Sequence, residues 1–282
     1  MRFFDLHCDT LTKCLETGQT LSNNRLHVSF EKAAEFDRWR QCFALWFPDG
    51  LTDEEKELRF MSGVFLFCEQ APETAILTVE NAEIVLQRGF SVQELAQLYG
   101  VRMLSLTWNR ENALAGGCNS NGGLTAAGKA VVKACEKYGV TVDVSHLNER
   151  SVKQVLLCTD APVVASHCNL FSVCEHRRNL SDEIVTEIVN RGGLIGLCFM
   201  RDFLGCGNFY KVFYRHVLKL LDMNGEKSLA IGSDFDGCKM PRQINSIGKI
   251  PILHKELTKL GLENLLAQKL FFDNAQHFFG DV

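Results

Sequence analysis

Strictly alternating strand and helix signals across 282 residues point to an α/β protein built as one (β/α)8 barrel, a single domain over residues 1–282. Eight short apolar runs have the length and side-chain content of strands, and amphipathic segments of helical period separate most of them. The length suits a fold that commonly runs to ~250 residues as one unit.

The first run, 3–9 (FFDLHCD), begins almost at the N-terminus with Phe3 and Phe4. Runs at 41–47 (QCFALWF) and 74–80 (TAILTVE) flank the charged helical segment DEEKELRFMSGVFLF. VQELAQLYG, closed by Gly100, leads to 102–108 (RMLSLTW), and LTAAGKAVVKACEKYG, closed by Gly139, leads to 141–146 (TVDVSH). ERSVKQVLLC precedes 161–167 (APVVASH), SDEIVTEIVNRGG precedes 194–199 (LIGLCF), and FYKVFYRHVLKLLDMNG, closed by Gly225, precedes 229–235 (LAIGSDF). Glycine just past an amphipathic run stops a helix because it enters the left-handed region without steric cost. Ser181, followed by Asp182 and Glu183, reads as an N-cap with an acidic first turn. An open doubly wound sheet is the other architecture compatible with this alternation. It gathers ligands at one crevice, whereas a barrel rings them around a mouth.

Composition is that of an ordinary globular enzyme, 46% hydrophobic and 23% charged with 22 Gly and 5 Pro. A formal net charge of −4 provides no basic field, which argues against nucleic acid as partner. None of the twelve cysteines is spaced as CxxC, and Cys8, Cys42 and Cys198 sit inside apolar runs. They read as reduced, buried small hydrophobes in a reducing compartment. No apolar run approaches the ~20 residues of a membrane span, and neither end carries a secretory or lipid-anchor pattern. The expectation is a cytoplasmic protein without membrane attachment. Its 20 Phe and 3 Trp read as barrel packing rather than a platform for bases.

Five side chains of metal-binding type fall at the C-terminal ends of runs one, three, five and six: His7, Asp9, Glu80, His146 and His167. In barrels that end carries the active site. Residues two apart in a strand share a face, so His7 and Asp9 converge while Cys8 turns away. Each of the five alone could be a structural group, but independent structural roles give no reason for all to share one end. Imidazole and carboxylate donors suit zinc with a coordination position left for water, and the same donors accept manganese or cobalt. Asp234 ends the eighth run in IGSDFDG, within reach of a metal-bound water, while Asp236 before Gly237 suits a turn. Cys168 should face away from the metal side by alternation. His27, His216, His254 and His277 lack partners at ligand spacing and read as packing or surface residues.

FFDLHCDT, TVEN, RMLSLTWN, the long GLTAAGKAVVKACEKYGVTVDVSH block, PVVASH, CEHRRNLSDE, GSDFDG and DNAQHFF together resemble the membrane dipeptidase, or renal dipeptidase, family of zinc peptidases (family M19) over essentially the whole chain. The GLT-to-DVSH block and HRRN are its specific signals; HxD alone is weak. The resemblance implies a metallo-dependent hydrolase with two Zn2+ that cleaves dipeptides. Glu80 would bridge the ions, His7 and Asp9 completing one and His146 and His167 the other. Arg178 and Asp234 match the family's substrate contacts. A planar guanidinium suits the dipeptide's free carboxylate, although Arg177 stands where the family has proline, so the two arginines could exchange roles. Two ions sharing a water lower its pKa from about 15.7 toward ~7, and the hydroxide would attack the scissile carbonyl. Asp234 would take the proton and pass it to the leaving amine, or bind the substrate's amino group. His176 matches the histidine of the family's HPRN motif.

One departure concerns the end of the fourth run. The renal enzymes read LTLTH there, with a histidine that stabilises the tetrahedral intermediate; this chain has Trp108. An indole donates one hydrogen bond but exchanges no proton near neutral pH. Zinc itself, the Trp108 indole N–H, and Asn109 or Arg110 just beyond are therefore the candidates for that contact. The resemblance also implies a homodimer. Two other readings of the same residues stay open: another amidohydrolase-type reaction, such as N-acyl amino acid deacylation or lactam hydrolysis, and a catalytically impaired metal-binding barrel, which the tryptophan motivates. Arg178 favours a carboxylate-bearing substrate over a plain phosphoester.

Overall fold

In the computed structural model, which describes residues 1–280, eight parallel strands close into a barrel in sequence order. Asp281 and Val282, which end the expected 1–282 domain, lie outside the described residues. The strands are β1 (Arg2–Cys8), β2 (Arg38–Trp46), β3 (Ala75–Glu80), β4 (Met103–Ser105), β5 (Thr141–Asp143), β6 (Val164–Ala165), β7 (Leu194–Leu197) and β8 (Leu229–Ile231). Asp5 of β1 pairs with Ile231 of β8 and closes the ring, which a doubly wound sheet cannot do.

Several strands are shorter than their apolar runs, for a physical reason. The run at 141–146 leaves the ladder after Asp143, whose Oδ1 accepts from the backbone N–H groups of Ser145 and Ser166, both at 2.9 Å. At the end of the eighth run, Asp5 Oδ1 likewise accepts from Ser233 N–H at 2.8 Å. These buried carboxylates take over backbone groups that would otherwise be orphaned as the strand ends curl over the mouth.

The six expected helices form over Asp53–Gln70, Val92–Gln97, Ala126–Tyr138, Glu149–Cys158, Asp182–Asn190 and Phe209–Asp222. Gly139 is left-handed and its N–H returns to Cys135 O. Gly225 does not stop its helix; Asn224 takes the left-handed position at φ 59°. Ser181 stands at the N-cap, but its hydroxyl donates to Glu149 Oε1 at 3.4 Å instead of capping. The C-terminal helical stretch Asn264–Phe279 had no counterpart among the sequence signals. It closes the barrel floor, where Phe272, Ala275 and Phe279 pack with Phe4, Ile76 and Met103. Burying such side chains contributes roughly 1.5–3 kcal/mol each.

All twelve cysteines are free, but only six are buried, among them Cys8, Cys42 and Cys198; Cys68 and Cys206 are exposed, which corrects the uniform expectation. No helix among the described residues is long and apolar enough to cross a membrane.

Candidate metal centre

The strand ends bring His7, Asp9, Glu80, His146, His167 and Asp234 together, each between 1% and 8% exposed. His7 Nε2 lies 3.3 Å from Asp9 Oδ2 and 3.2 Å from Glu80 Oε2. The other Glu80 oxygen, Oε1, is 3.1 Å from His146 Nε2, so this carboxylate turns one oxygen to each side. The Nε2 atoms of His146 and His167 face each other at 2.7 Å. Asp234 joins His7 and His167 in a group whose donor atoms lie within 4.8 Å of one another.

Two of these side chains reach the centre through backbone that L-residues rarely adopt. His146 has φ 69° and Asp234 φ 61°, left-handed positions that cost roughly 1–3 kcal/mol each and persist where the surroundings enforce them. Gly237 closes over Asp9 and Asp234, because a Cβ there would collide with Asp9 Oδ2 and Asp234 Oδ1.

Neighbouring groups fix the imidazole tautomers. Asn109 Oδ1 lies 2.9 Å from His146 Nδ1, and an amide oxygen can only accept, so Nδ1 carries the proton. Ser166 donates its hydroxyl proton to Asp143 Oδ2 at 2.5 Å, which leaves its oxygen to accept from His167 Nδ1 at 2.7 Å. Both Nε2 lone pairs therefore point into the centre. Burial lowers His146 to about 4, assisted by the Arg178 charge. It also holds His167 well below the ordinary histidine value, with His7 and His146 adding to the effect. Neutral imidazoles are the form that binds metal.

This donor set fits divalent cations. Asp9 Oδ1 and Glu80 Oε2 are buried without a hydrogen-bond partner; Glu80 Oε2 approaches His7 Nε2 in distance only. Three carboxylates and two facing lone pairs in one buried cluster need positive charge to offset their desolvation. Burial pushes Asp234 up to about 7; His7 opposes the shift, and the Asp9 and Glu80 charges reinforce it.

Above the centre lies a cavity of about 440 Å³, with Trp46, Trp108, Met200 and Phe203 among its apolar walls and Arg177, Arg178 and Asp234 among its polar ones. Arg178 is buried, and its Nη2 has no partner. Its Nη1 meets only Cys168 Sγ at 3.6 Å, and the guanidinium lies 5.3 Å from the Phe203 ring centroid. Arg177 is exposed and donates to Asn119 Oδ1 at 2.9 Å, so the buried, unpaired guanidinium of the doublet is Arg178. His176 accepts from the Arg178 N–H at 3.2 Å.

Cys168 faces Arg178 and Ser145 rather than the ligand cluster. Asp236 does more than shape its turn: it accepts from Thr10 Oγ1 at 2.5 Å and from His27 N–H at 2.9 Å, stapling the loop around His27 to the rim. Trp108 lines the cavity, whereas Asn109 is committed to His146 and Arg110 is exposed beside Asp49, outside the cavity wall. The supporting groups Asp5, Asp143, Ser166 and Asn109 had not been singled out as such. An acidic residue inside an apolar run, as in FFDLH and TVDVSH, is the signal that marks two of them.

A family model described as membrane dipeptidase (peptidase family M19) matches residues 67–282. An uncharacterized Klebsiella pneumoniae protein from the pqqA 5′ region is 31% identical over 189 residues, 62% of this chain and 70% of its own length. Dipeptidase verJ of Clonostachys rogersoniana is 33% identical over 171 residues, 58% of this chain; the match spans 44% of that relative, less than half its length. In fold, the chain superposes with TM-score 0.89 on a Rhodobacter sphaeroides metallopeptidase liganded with a phosphinate mimic of L-Ala-D-Ala, at 22% identity and covering 99% and 98% of the two chains. The family match extends over most of the sequence and includes every candidate ligand from Glu80 onward, and on that ground the chain belongs to the membrane dipeptidase family, peptidase family M19.

Proposed function

We propose that the protein is a metal-dependent dipeptidase that hydrolyses the peptide bond of free dipeptides at a two-ion centre, with zinc as the ion and manganese or cobalt as substitutes. The observation that carries this reading is the buried Arg178 guanidinium, with Nη2 unpartnered, in the cavity wall above converging imidazoles and carboxylates. His7, Asp9 and Glu80 would hold one ion, and Glu80, His146 and His167 the other. Bound there, the ions would supply Lewis acidity toward a carbonyl and make a water acidic near neutral pH.

The remaining work falls to side chains of this chain. Arg178 lacks an anionic partner among the described residues, and an uncompensated buried charge is costly. The C-terminal carboxylate of a dipeptide would satisfy it through paired N–H donors. Asp234 stands beside the ligand cluster, grouped with His7 and His167. Its carboxylate can accept a proton from the attacking water and return it to the leaving amine, and in its charged form it attracts the substrate's amino group. Trp108 contacts the substrate from the wall. The cavity of about 440 Å³ suits a ligand of dipeptide size. The free thiols support a reducing location, with the cytoplasm as the proposed compartment.

Amino-acid release from a panel of L,L and L,D dipeptides, by metal-reconstituted protein with Glu80→Gln as control, tests the reading. Release that disappears in the variant supports it. Cleavage of N-acyl amino acids with free dipeptides left intact would replace it with the deacylase reading.

A further inference from the structure

We propose that Trp46 and Trp108 form a fixed aromatic shelf that receives the side chain of the substrate's N-terminal residue and makes the enzyme favour dipeptides beginning with a large apolar or aromatic residue; this rests on the dipeptidase reading above. In a closed ring of eight strands β2 stands opposite β6, and β4 opposite β8. Trp46 ends β2 and Trp108 lies just beyond β4, whereas Arg178 follows β6 and Asp234 follows β8. A dipeptide with its carboxylate at Arg178 and its scissile carbonyl over the ligand cluster has one direction left. With its amino group drawn to Asp234 at β8, the side chain on the same N-terminal residue turns to the opposite, β2–β4 side, where the two indoles stand.

The shelf is preorganised. The indoles meet edge to face, with centroids 5.2 Å apart and planes at 68°, and both are half-buried and open to the cavity rather than sealed in the core. Arg59 Nε donates to the Trp46 carbonyl at 2.7 Å, and its guanidinium lies 5.7 Å from the Trp46 ring centroid. The Trp46 backbone N–H donates to Thr12 Oγ1 at 2.9 Å. Trp108 leans toward His146, with centroids 6.4 Å apart. A surface held this way loses little conformational freedom when a side chain settles on it. The cations beside that wall are both paired, Lys13 with Glu16 Oε2 at 2.9 Å and Arg59 with Glu16 Oε1 at 2.7 Å, so the shelf presents apolar faces rather than free charge.

The test compares kcat/KM for Gly-Ala, Ala-Ala, Leu-Ala and Phe-Ala in the metal-loaded wild type, Trp46→Leu, Trp108→Leu and Trp108→Ala, with thermal melts to establish that each variant is folded. The expected result is a Phe-Ala to Gly-Ala ratio of ~10 or more in the wild type, falling about tenfold in either leucine variant. A flat series in the wild type, or equal losses for both substrates in the variants, overturns the shelf. Calorimetric binding of phosphinate analogues of Phe-Ala and Gly-Ala separates this result from failure of the underlying reading. If no dipeptide is cleaved, the dipeptidase reading falls. The shelf then stands only if the Phe analogue binds more tightly and Trp108→Leu removes the difference; equal affinities refute it.

Discussion

The Ser166 hydroxyl lies 2.7 Å from Nδ1 of its neighbour His167 and donates its own hydrogen bond to Asp143 Oδ2. The serine thereby turns a buried carboxylate into the group that aims the Nε2 lone pair of a proposed metal ligand. Partners of this kind typically govern metal affinity by ~10–100-fold. Ser166→Ala is expected to weaken zinc binding by about that factor, while Ser166→Thr, which keeps the hydroxyl, retains most of it. Chelator competition measures this without turnover, and unchanged affinity in the alanine variant would count against the relay.

Glu80 directs Oε2 to His7 and Oε1 to His146. Glutamine there replaces one oxygen with a donor that would confront a ring nitrogen. Elemental analysis of Glu80→Gln should show the metal content falling well below that of the wild type, with dipeptide turnover reduced by ~10²-fold or more. Full metal occupancy in the variant would remove Glu80 from the shared position.

Arg178→Met should act in opposite directions on function and stability. Loss of a charge-assisted contact of roughly 1.5–3 kcal/mol lowers kcat/KM for free dipeptides by about 10–100-fold. Removing an unpaired buried cation should leave the melting temperature unchanged or raised. Arg177→Met, at an exposed position, should alter neither property much. A reversal of the two phenotypes would assign the carboxylate to Arg177.

His216 provides a pH test. It is fully buried, its Nδ1 accepts from Leu170 N–H at 3.3 Å, and its Nε2 faces Leu204 O at 3.2 Å, an arrangement that only the neutral ring satisfies. Burial lowers it to about 4, against ~6.5 in the unfolded chain. Between those values the unfolded state binds more protons, so stability falls as pH drops from ~6.5 toward ~4. The contribution of this group reaches up to ~3 kcal/mol and is absent above ~6.5. Urea unfolding at pH 7, 6 and 5 should show a smaller acid loss in His216→Gln than in the wild type; parallel losses would exclude His216 as the cause.

Local pattern alone was enough to place His7 beside Asp9, since strand alternation puts residues two apart on one face, and to place Glu80, His146, His167 and Asp234 at one end of an alternating barrel. Hydrophobic period and strand direction are local properties written into each segment. The C-terminal plug was not legible, because Phe272 and Phe279 gain meaning only against Phe4 and its neighbours, far away in the chain. The motif resemblance favours Arg178, but the two arginines are adjacent and chemically identical, and it is burial that separates them physically. The same holds for the supporting shell. Asn109 on His146, Asp143 behind Ser166, and Trp46 against Trp108 are contacts between different strand ends, fixed by closure of the ring. The sequence by itself determined which chemical groups stand at the barrel mouth. The tertiary structure decided their tautomers, their charges and the wall opposite Arg178, because those depend on through-space neighbours and desolvation that no single segment encodes.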